Sequence, residues 1–205
     1  MTDQKIVVLA SNNPGKLREF AAMFEPLHIE IRPQADYGIP EAEETGLTFI
    51  ENALLKARNA CEHSGLPAMA DDSGIEVDAL QGAPGIYSAR YAGPACDDQA
   101  NNEKLVAALR EVPPAQRTAR YRAVLVYLRH AADPAPIIAE GTWEGLIVDT
   151  PRGENGFGYD PYFLLPERGV TSAELPPEEK NRLSHRGKAL RILLEKIKAR
   201  DGGRR

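Results

Sequence analysis

The sequence has 205 residues, 42% of them hydrophobic, and carries a formal net charge of -5 from 25 basic and 30 acidic residues. This length is sufficient for one substantial core. The charges are mixed along the chain, which argues against a basic stripe for duplex nucleic acid and against a polyacidic disordered tail. We therefore expect a single two-lobed domain over residues 1–200, followed by a flexible tail at 201–205.

The two cysteines and the N-terminal residues bear on where the protein works. Cys61 and Cys96 have no C-x-x-C spacing, which argues against a zinc site or a disulfide framework and favours a reducing compartment. A strand-like run begins within a few residues of the N-terminus, which leaves no room for a signal peptide. No apolar run approaches the roughly 20 residues needed to cross a bilayer. We expect a soluble, cytoplasmic protein without a membrane partner.

The first part of the chain predicts a strand, a turn and a helix. Residues 5–10 have the composition of a buried strand, and apolar residues at 17, 20, 21 and 24 then follow helical spacing. Pro14 suits the first position of that helix, and Asn12 or Asn13 can cap it. The segment between strand and helix is therefore a strand-to-helix turn.

The middle of the chain predicts a second helix and two short strands. Thr48 and Glu51 form a capping-box pattern ahead of the helix. Strands at 68–72 and 75–80 are expected to meet at Ser73-Gly74, which would place Asp71 and Asp72 at a strand end.

The remaining segments complete an α/β pattern. Asp97 or Asp98 can cap a helix, and residues 120–128 and 137–148 predict two long strands that form an antiparallel pair. A glycine-rich loop at 151–161 follows, and then a short helix at 177–183 and a longer one through Ile197. The fold class we expect is α/β, with a mixed β-sheet flanked by helices and two lobes around a central nucleotide-binding cleft.

Five separated segments are rich in groups that bind phosphate, metal or a purine base. They are Ser11-Asn12-Asn13-Pro14-Gly15-Lys16, Glu43-Glu44-Thr45-Gly46, Ala70-Asp71-Asp72-Ser73-Gly74, Gly156-Phe157-Gly158-Tyr159-Asp160 and Ser184-His185-Arg186-Gly187. Each segment alone is also compatible with an ordinary cap, turn or solvated side chain. Together they supply what hydrolysis of a nucleoside triphosphate requires.

The first segment places amide side chains and Lys16 beside the N–H groups of a helix N-terminus, which favours phosphate binding. It lacks the spacing of a Walker A loop, which disfavours P-loop chemistry. Lys56 and Lys180 are further candidates for the phosphates, although helical lysines are usually solvated.

The acidic segments predict a magnesium site. Magnesium prefers oxygen ligands and often uses one or two carboxylates together with substrate phosphate. Glu43, Glu44, Asp71 and Asp72 are the candidates, and the two aspartates should point to opposite sides of their strand.

The last two segments predict a base-binding site. Phe157 lies between two glycines, which suits its ring to stacking on a base, and Tyr159 and Asp160 can orient it. His185 and Arg186 follow Ser184, a candidate helix cap, and offer donors to a carbonyl on the base. A 6-oxo purine accepts such bonds, whereas adenine presents an amino donor.

These segments, in this order, resemble the RdgB-type inosine/xanthosine triphosphate pyrophosphatases, a family of non-canonical purine nucleotide hydrolases. The resemblance spans essentially the whole chain. It extends to Thr48-Phe49-Ile50-Glu51-Asn52-Ala53, Gly82-Ala83-Pro84-Gly85-Ile86-Tyr87-Ser88-Ala89-Arg90-Tyr91 and Ala173-Glu174-Leu175. Ser11-Asn12-Asn13 stands where related proteins often have Thr-Gly-Asn, which keeps a hydroxyl and an amide.

The resemblance implies a cytoplasmic homodimer that hydrolyses dITP, ITP and XTP to the monophosphate and pyrophosphate with Mg²⁺. It implies that Asp72 is the proton acceptor and a magnesium ligand and that Glu43 is the second ligand, with the choice between Glu43 and Glu44 open. The positions that match substrate-binding residues are Ser11, Asn12, Asn13, Pro14, Gly15, Lys16, Ser73, Phe157, Gly158, Tyr159, Asp160, Lys180, His185 and Arg186, to which we add Lys56.

Two other functions remain open from the sequence. A Maf-like nucleotide pyrophosphatase has a similar fold and reaction but prefers other bases. A non-catalytic nucleotide-binding module would need the phosphate turn and the Phe157 loop but not the acids. The clustered carboxylates favour an enzyme. Base preference would distinguish an inosine/xanthosine triphosphate pyrophosphatase from a Maf-like one.

Overall fold

The structure, a computed structural model, describes residues 5–25 and 28–202, without the side chains of the last two. Seven strands form one mixed sheet in the order β2-β1-β3-β4-β5-β6-β7. The strands are β1 (Lys5–Leu9), β2 (Ile29–Pro33), β3 (Ala68–Val77), β4 (Thr118–Leu128), β5 (Ile137–Ile147), β6 (Phe163–Leu165) and β7 (Val170–Thr171). The helices are α1 (Pro14–Phe24), α2 (Phe49–Ser64), α3 (Asp98–Ala108), α4 (Pro177–Leu183) and α5 (His185–Gly202).

The sheet is mixed, which confirms the predicted fold class. Strand β1 pairs in parallel with β2 and β3, whereas β6 pairs antiparallel with β5 and β7. The two long strands β4 and β5 are neighbours, as their sequence indicated. In the described part of the chain, no helix combines the length and the apolar character that crossing a membrane requires.

The chain divides into two compact units. The first comprises the described parts of Met1–Asp72, Val124–Glu140 and Ala189–Arg205, and the second comprises Ser73–Ala123 and Gly141–Lys188. Strand β3 therefore contributes to both units, and the change occurs between Asp72 and Ser73.

The first unit contains β1, β2 and helices α1 and α2. Asn13 caps α1 and Pro14 is its first residue, as predicted. Phe20 and Phe24 are the fully buried residues of that helix, whereas Ala21, which we expected to be on the same face, is exposed. Thr48 caps α2 by accepting a hydrogen bond from the N–H of Glu51.

The second unit has its own apolar core. It is formed by buried residues of β3 to β6, α3 and the loops that follow: Ile75, Val77, Leu105, Leu109, Ala119, Tyr121, Trp143, Ile147, Tyr159, Phe163, Leu165 and Leu175. Asp97 caps α3 by accepting from the N–H groups of Gln99 and Ala100. Ser184 Oγ accepts from the N–H of Gly187 at the start of α5, which confirms the cap that we expected there.

One sequence-based boundary is wrong. We predicted separate strands at 68–72 and 75–80, but β3 is continuous and only Asp78–Leu80 leaves it as a short 3-10 turn. Gly74 is not among the described glycines with positive φ, so no turn forms there, and Asp71 and Asp72 lie within the strand. Helix α5 continues to Gly202, and residues 203–205 of the predicted tail lie outside the described part of the chain.

A buried carboxylate organises the loop between β4 and β5. The Asp133 side chain is fully buried and accepts hydrogen bonds from the N–H groups of Arg129 and Ala135 and from the Arg129 guanidinium. Chiefly the bond from the Arg129 side chain holds the pKa of Asp133 well below its usual range. The folded loop therefore stabilises the ionised form.

We predict that Asp133→Asn lowers the free energy of unfolding at pH 7 by about 1–3 kcal/mol, because it weakens a set of charge-assisted bonds. Since the folded-state pKa lies below the unfolded value of about 4, this stability is present above pH 4 and is lost as the pH falls through the folded pKa. Urea unfolding from pH 7 downward measures both effects. Glu62→Gln, on the exposed side of α2, is the control; equal losses in the two variants would contradict the prediction.

Candidate active site

The turn before α1 is held by its own side chains. Asn13 Oδ1 accepts from the N–H groups of Gly15 (2.8 Å) and Lys16 (3.1 Å), and the Asn13 N–H donates to Ser11 Oγ (3.1 Å). The Asn12 amide donates to Glu41 Oε1 (3.0 Å). These bonds hold the turn in one conformation. The N–H groups of Gly15 and Lys16, which have no carbonyl partner within the helix, donate to the Asn13 cap instead.

Four charged side chains of the first unit pair around the middle of β3. Lys16 Nζ lies 2.6 Å from Asp71 Oδ2, and the Asp71 side chain is fully buried. Lys56 Nζ, on α2, lies 2.6 Å from Asp72 Oδ1 and also donates to the Asp71 backbone carbonyl (3.0 Å). The two adjacent aspartates thus have different lysine partners, which agrees with the alternation of side chains along a strand.

Asp72 is 7% exposed, and its two oxygens differ. Oδ1 accepts from Lys56, whereas Oδ2 is buried and has no hydrogen-bond partner among the described residues. Burial raises the pKa of Asp72, and the Lys56 ammonium only partly offsets this effect. Burial by itself lowers the pKa of Lys56, but Asp72 and Glu44 raise it more, so that Lys56 remains an ammonium.

The structure distinguishes the two candidate glutamates. Glu44 Oε1 lies 2.9 Å from Lys56 Nζ and is part of the same cluster as Asp72. Glu43 is exposed. No group of three or more His, Cys, Asp or Glu residues in the described part of the chain can hold a metal by itself. The unpartnered Asp72 Oδ2 nevertheless fits a magnesium ion that takes its other ligands from water and substrate, as Mg²⁺ often does.

In the second unit, Asp160 organises the loop that carries Phe157. It is buried, and its Oδ2 accepts from the Phe157 N–H (2.9 Å) and from Lys180 Nζ (2.5 Å). Its Oδ1 accepts from Ser172 Oγ (2.8 Å) and lies 3.4 Å from the Tyr121 hydroxyl, which donates to it. One carboxylate therefore joins the loop, α4 and the core of this unit.

Phe157 is 38% exposed, and two cations lie near its ring. Lys180 Nζ is 5.1 Å and the Arg186 guanidinium carbon 5.7 Å from the ring centroid. Arg186 also donates to Ser73 Oγ (3.2 Å). Lys180, which we expected at the phosphates, is therefore grouped with the aromatic ring and Asp160.

His185 is buried beside the same group. Its ring stacks on Tyr121, with the centroids 4.7 Å apart and the planes 11° apart. The Tyr159 hydroxyl donates to the Ser88 carbonyl (2.7 Å) and is likewise buried. The Tyr121–His185 stack fixes the plane of the imidazole, and Tyr159 anchors its end of the glycine-rich loop.

Gly156 is required by close approach and by its backbone. Its φ is +83°, and a Cβ atom there would lie 2.1 Å from Asp160 Oδ2 and 2.9 Å from Lys180 Nζ. No side chain fits this position without displacing the ion pair.

The structure thus assembles the predicted residues into two groups, one in each unit. The first unit holds residues 11–16 with Lys56 and Asp72, and the second holds Ser73, residues 157–160, Lys180, His185 and Arg186. Sequence reasoning missed Tyr121 and Ser172. Tyr121 lies in an alternating strand, where it has the pattern of a core residue, and nothing in the sequence marks its stacking on His185.

Known proteins are similar to this chain in sequence and in fold. The profile of the Ham1 family matches residues 7–196. A protein of Thioalkalivibrio sulfidiphilus named dITP/XTP pyrophosphatase is 63% identical over 95% of this chain and 99% of its own length. One of Methylococcus capsulatus with the same name is 58% identical over 96% of this chain and 98% of its own.

A solved structure agrees with these matches. The HAM1 protein from Coxiella burnetii superposes with a TM-score of 0.89 at 46% identity and covers 95% of this chain and 99% of that protein. Sequence and structure agree over nearly the full length of both chains. The chain belongs to the Ham1 family.

Proposed function

We propose that this protein hydrolyses the non-canonical purine nucleotides dITP, ITP and XTP to the monophosphate and pyrophosphate, which removes them from the nucleotide pool. The observation that carries the proposal is Asp72, a buried carboxylate with one oxygen on Lys56 and the other without a hydrogen-bond partner among the described residues. The relatives named dITP/XTP pyrophosphatase support the choice of substrate.

The first unit is proposed to bind the triphosphate. Residues 11–16 supply the amide side chains of Asn12 and Asn13, the Ser11 hydroxyl and the Lys16 ammonium. Helix α2 supplies Lys56. Both lysines already neutralise buried carboxylates, so their charges are positioned before substrate binds. We propose that they stabilise the negative charge of the departing pyrophosphate.

Asp72 and Glu43 are proposed to hold Mg²⁺, with Glu44 holding Lys56. In this arrangement Glu44 keeps its ion pair with Lys56. Glu43 is exposed, and the described residues show no ion pair that it would have to give up. A bound Mg²⁺ would supply charge neutralisation at the phosphates.

Asp72 is also proposed to orient the attacking water and to accept its proton as the α-phosphorus is attacked. A carboxylate at its ordinary pKa of about 4 is a weak base, and the burial that raises the pKa of Asp72 improves it. The ammonium of Lys56, 2.6 Å away, favours the ionised form of Asp72 and fixes the direction of its carboxylate.

The second unit is proposed to bind the base. Phe157 offers an exposed ring for stacking, and His185 and Arg186 offer donors to the 6-oxo group. Adenine would place an amino group against those donors, and each unpaired buried group costs about 1–3 kcal/mol. Lys180 is proposed to act with this group because it lies against Phe157 and Asp160.

The resemblance further supports a cytoplasmic homodimer that binds neither nucleic acid polymers nor membranes, and we propose this organisation. The net charge of -5 agrees with the first exclusion. Substrate preference distinguishes this function from that of a Maf-like enzyme. Turnover distinguishes it from that of a non-catalytic module.

We predict strong preference for ITP and XTP over ATP, CTP and UTP when pyrophosphate release is measured with Mg²⁺, and a loss of at least about 100-fold in kcat for Asp72→Asn. Equal rates on all nucleotides would contradict the base-binding proposal. Binding of ITP without turnover by the unaltered protein would favour a binding module.

We predict that Glu43→Gln raises the Mg²⁺ concentration needed for half-maximal rate about tenfold, because it removes a proposed ligand. Glu44→Gln should instead lower kcat at saturating Mg²⁺, because Lys56 loses one of its carboxylate partners. Titration of the rate with Mg²⁺ at fixed ITP separates the two. The assignment is reversed if Glu44→Gln alone changes the Mg²⁺ requirement.

We predict that Gly156→Ala raises KM for ITP about tenfold or more, because the methyl group displaces Asp160 or Lys180 and moves Phe157. Gly169→Ala is the matched control: Gly169 also has a positive φ, of +69°, but a Cβ there meets nothing within 4 Å. The steric explanation fails if the two variants have the same KM.

A further inference from the structure

Helix α3 holds the loop that carries Phe157. Both polar groups of the Gly158 backbone, next to Phe157, are bonded to side chains of α3. The N–H donates to Asp98 Oδ2 (2.9 Å), and the carbonyl accepts from Asn102 Nδ2 (3.0 Å). Asp98 and Asn102 are four residues apart, so they lie on the same face of the helix.

The burial of Asn102 is explained by this contact. The residue is 6% exposed, and its Oδ1 is buried without a hydrogen-bond partner among the described residues. An unpaired buried oxygen is unfavourable, and an apolar residue would avoid it. What an apolar residue could not do is donate to the Gly158 carbonyl.

Packing alone does not fix the loop. A cavity of about 320 Å³ borders it, lined by Asp98, Asn102, Phe157, Gly158 and Tyr162 among others. Gly158 has a φ of +62° with no atom within 4 Å of a Cβ built there. An open flank and a glycine on each side of Phe157 leave the backbone free to rotate unless hydrogen bonds restrain it.

We propose that Asp98 and Asn102 are positioning residues that hold the Phe157 ring where a purine base stacks on it. This inference rests on the proposed function, because it concerns the same base-binding group. Asp160 holds the Phe157 N–H from one side of the loop, and α3 holds Gly158 from the other. A ring held in place before binding avoids the ordering cost that binding would otherwise include.

The test is steady-state hydrolysis of ITP by Asn102→Ala and Asp98→Ala. KM should rise about five- to tenfold in each, the effect of one lost hydrogen bond, with kcat within about twofold. Asp98→Asn keeps an acceptor for the Gly158 N–H and should restore KM. Glu103→Ala removes an exposed side chain of α3 that bonds to Gln99 and is not among the residues lining this cavity, and it should change neither constant. Asp98 is exposed, so that its variants fold even if Asn102→Ala does not.

A double-mutant cycle separates positioning from a general structural role. In a Phe157→Ala background, Asn102→Ala and Asp98→Ala should have no further effect on KM. The proposal is overturned if the increase persists at full size without the ring, if kcat falls while KM is unchanged, or if neither variant differs from the unaltered protein.

The unaltered protein tests the proposed function independently. If it does not turn over ITP, that function fails, and calorimetric binding of inosine monophosphate by the same variants then tests the positioning. Binding that is five- to tenfold weaker in the variants than in the unaltered protein supports the inference. Equal binding by the variants and the unaltered protein overturns it, and so does an absence of binding by the unaltered protein.

Discussion

The first unit depends on the neutralisation of two adjacent buried carboxylates in the middle of β3. Asp71 and Asp72 each lose hydration on burial, and each is instead paired with a lysine from a different helix. Removing one partner of such a pair leaves a buried charge and is strongly destabilising. The pairs therefore fix the turn before α1 and the orientation of α2 relative to β3, and the second pair places the Lys56 ammonium beside Asp72, the proposed metal ligand.

The second unit also contains a buried carboxylate that is paired with a lysine. Asp160 is buried, is paired with Lys180 and accepts from the backbone of Phe157. This carboxylate fixes the position of an aromatic ring and of one cation, Lys180. In each unit a buried carboxylate paired with lysine thus organises a group of side chains, one set suited to phosphate and the other to a base.

The sequence predicted the elements whose local signals are strong. Pro14, Asn13 and Thr48 occupy the cap positions that their chemistry favours, and the five motifs indicated the family. It failed at Ser73-Gly74, because a glycine can extend a strand as well as end it and only its φ decides between them. It could not pair Lys16 with Asp71 or Lys56 with Glu44, nor find Tyr121 beside His185, because these contacts join residues far apart in the chain and depend on packing.

The role proposed for Asp72 requires that water attacks the α-phosphorus of ITP. Hydrolysis in ¹⁸O-labelled water with Mg²⁺, followed by mass spectrometry of both products, tests it most directly. We expect one labelled oxygen to enter inosine monophosphate and pyrophosphate to stay unlabelled. Label in pyrophosphate, or release of labelled orthophosphate, would show attack at another phosphorus and would contradict the role assigned to Asp72.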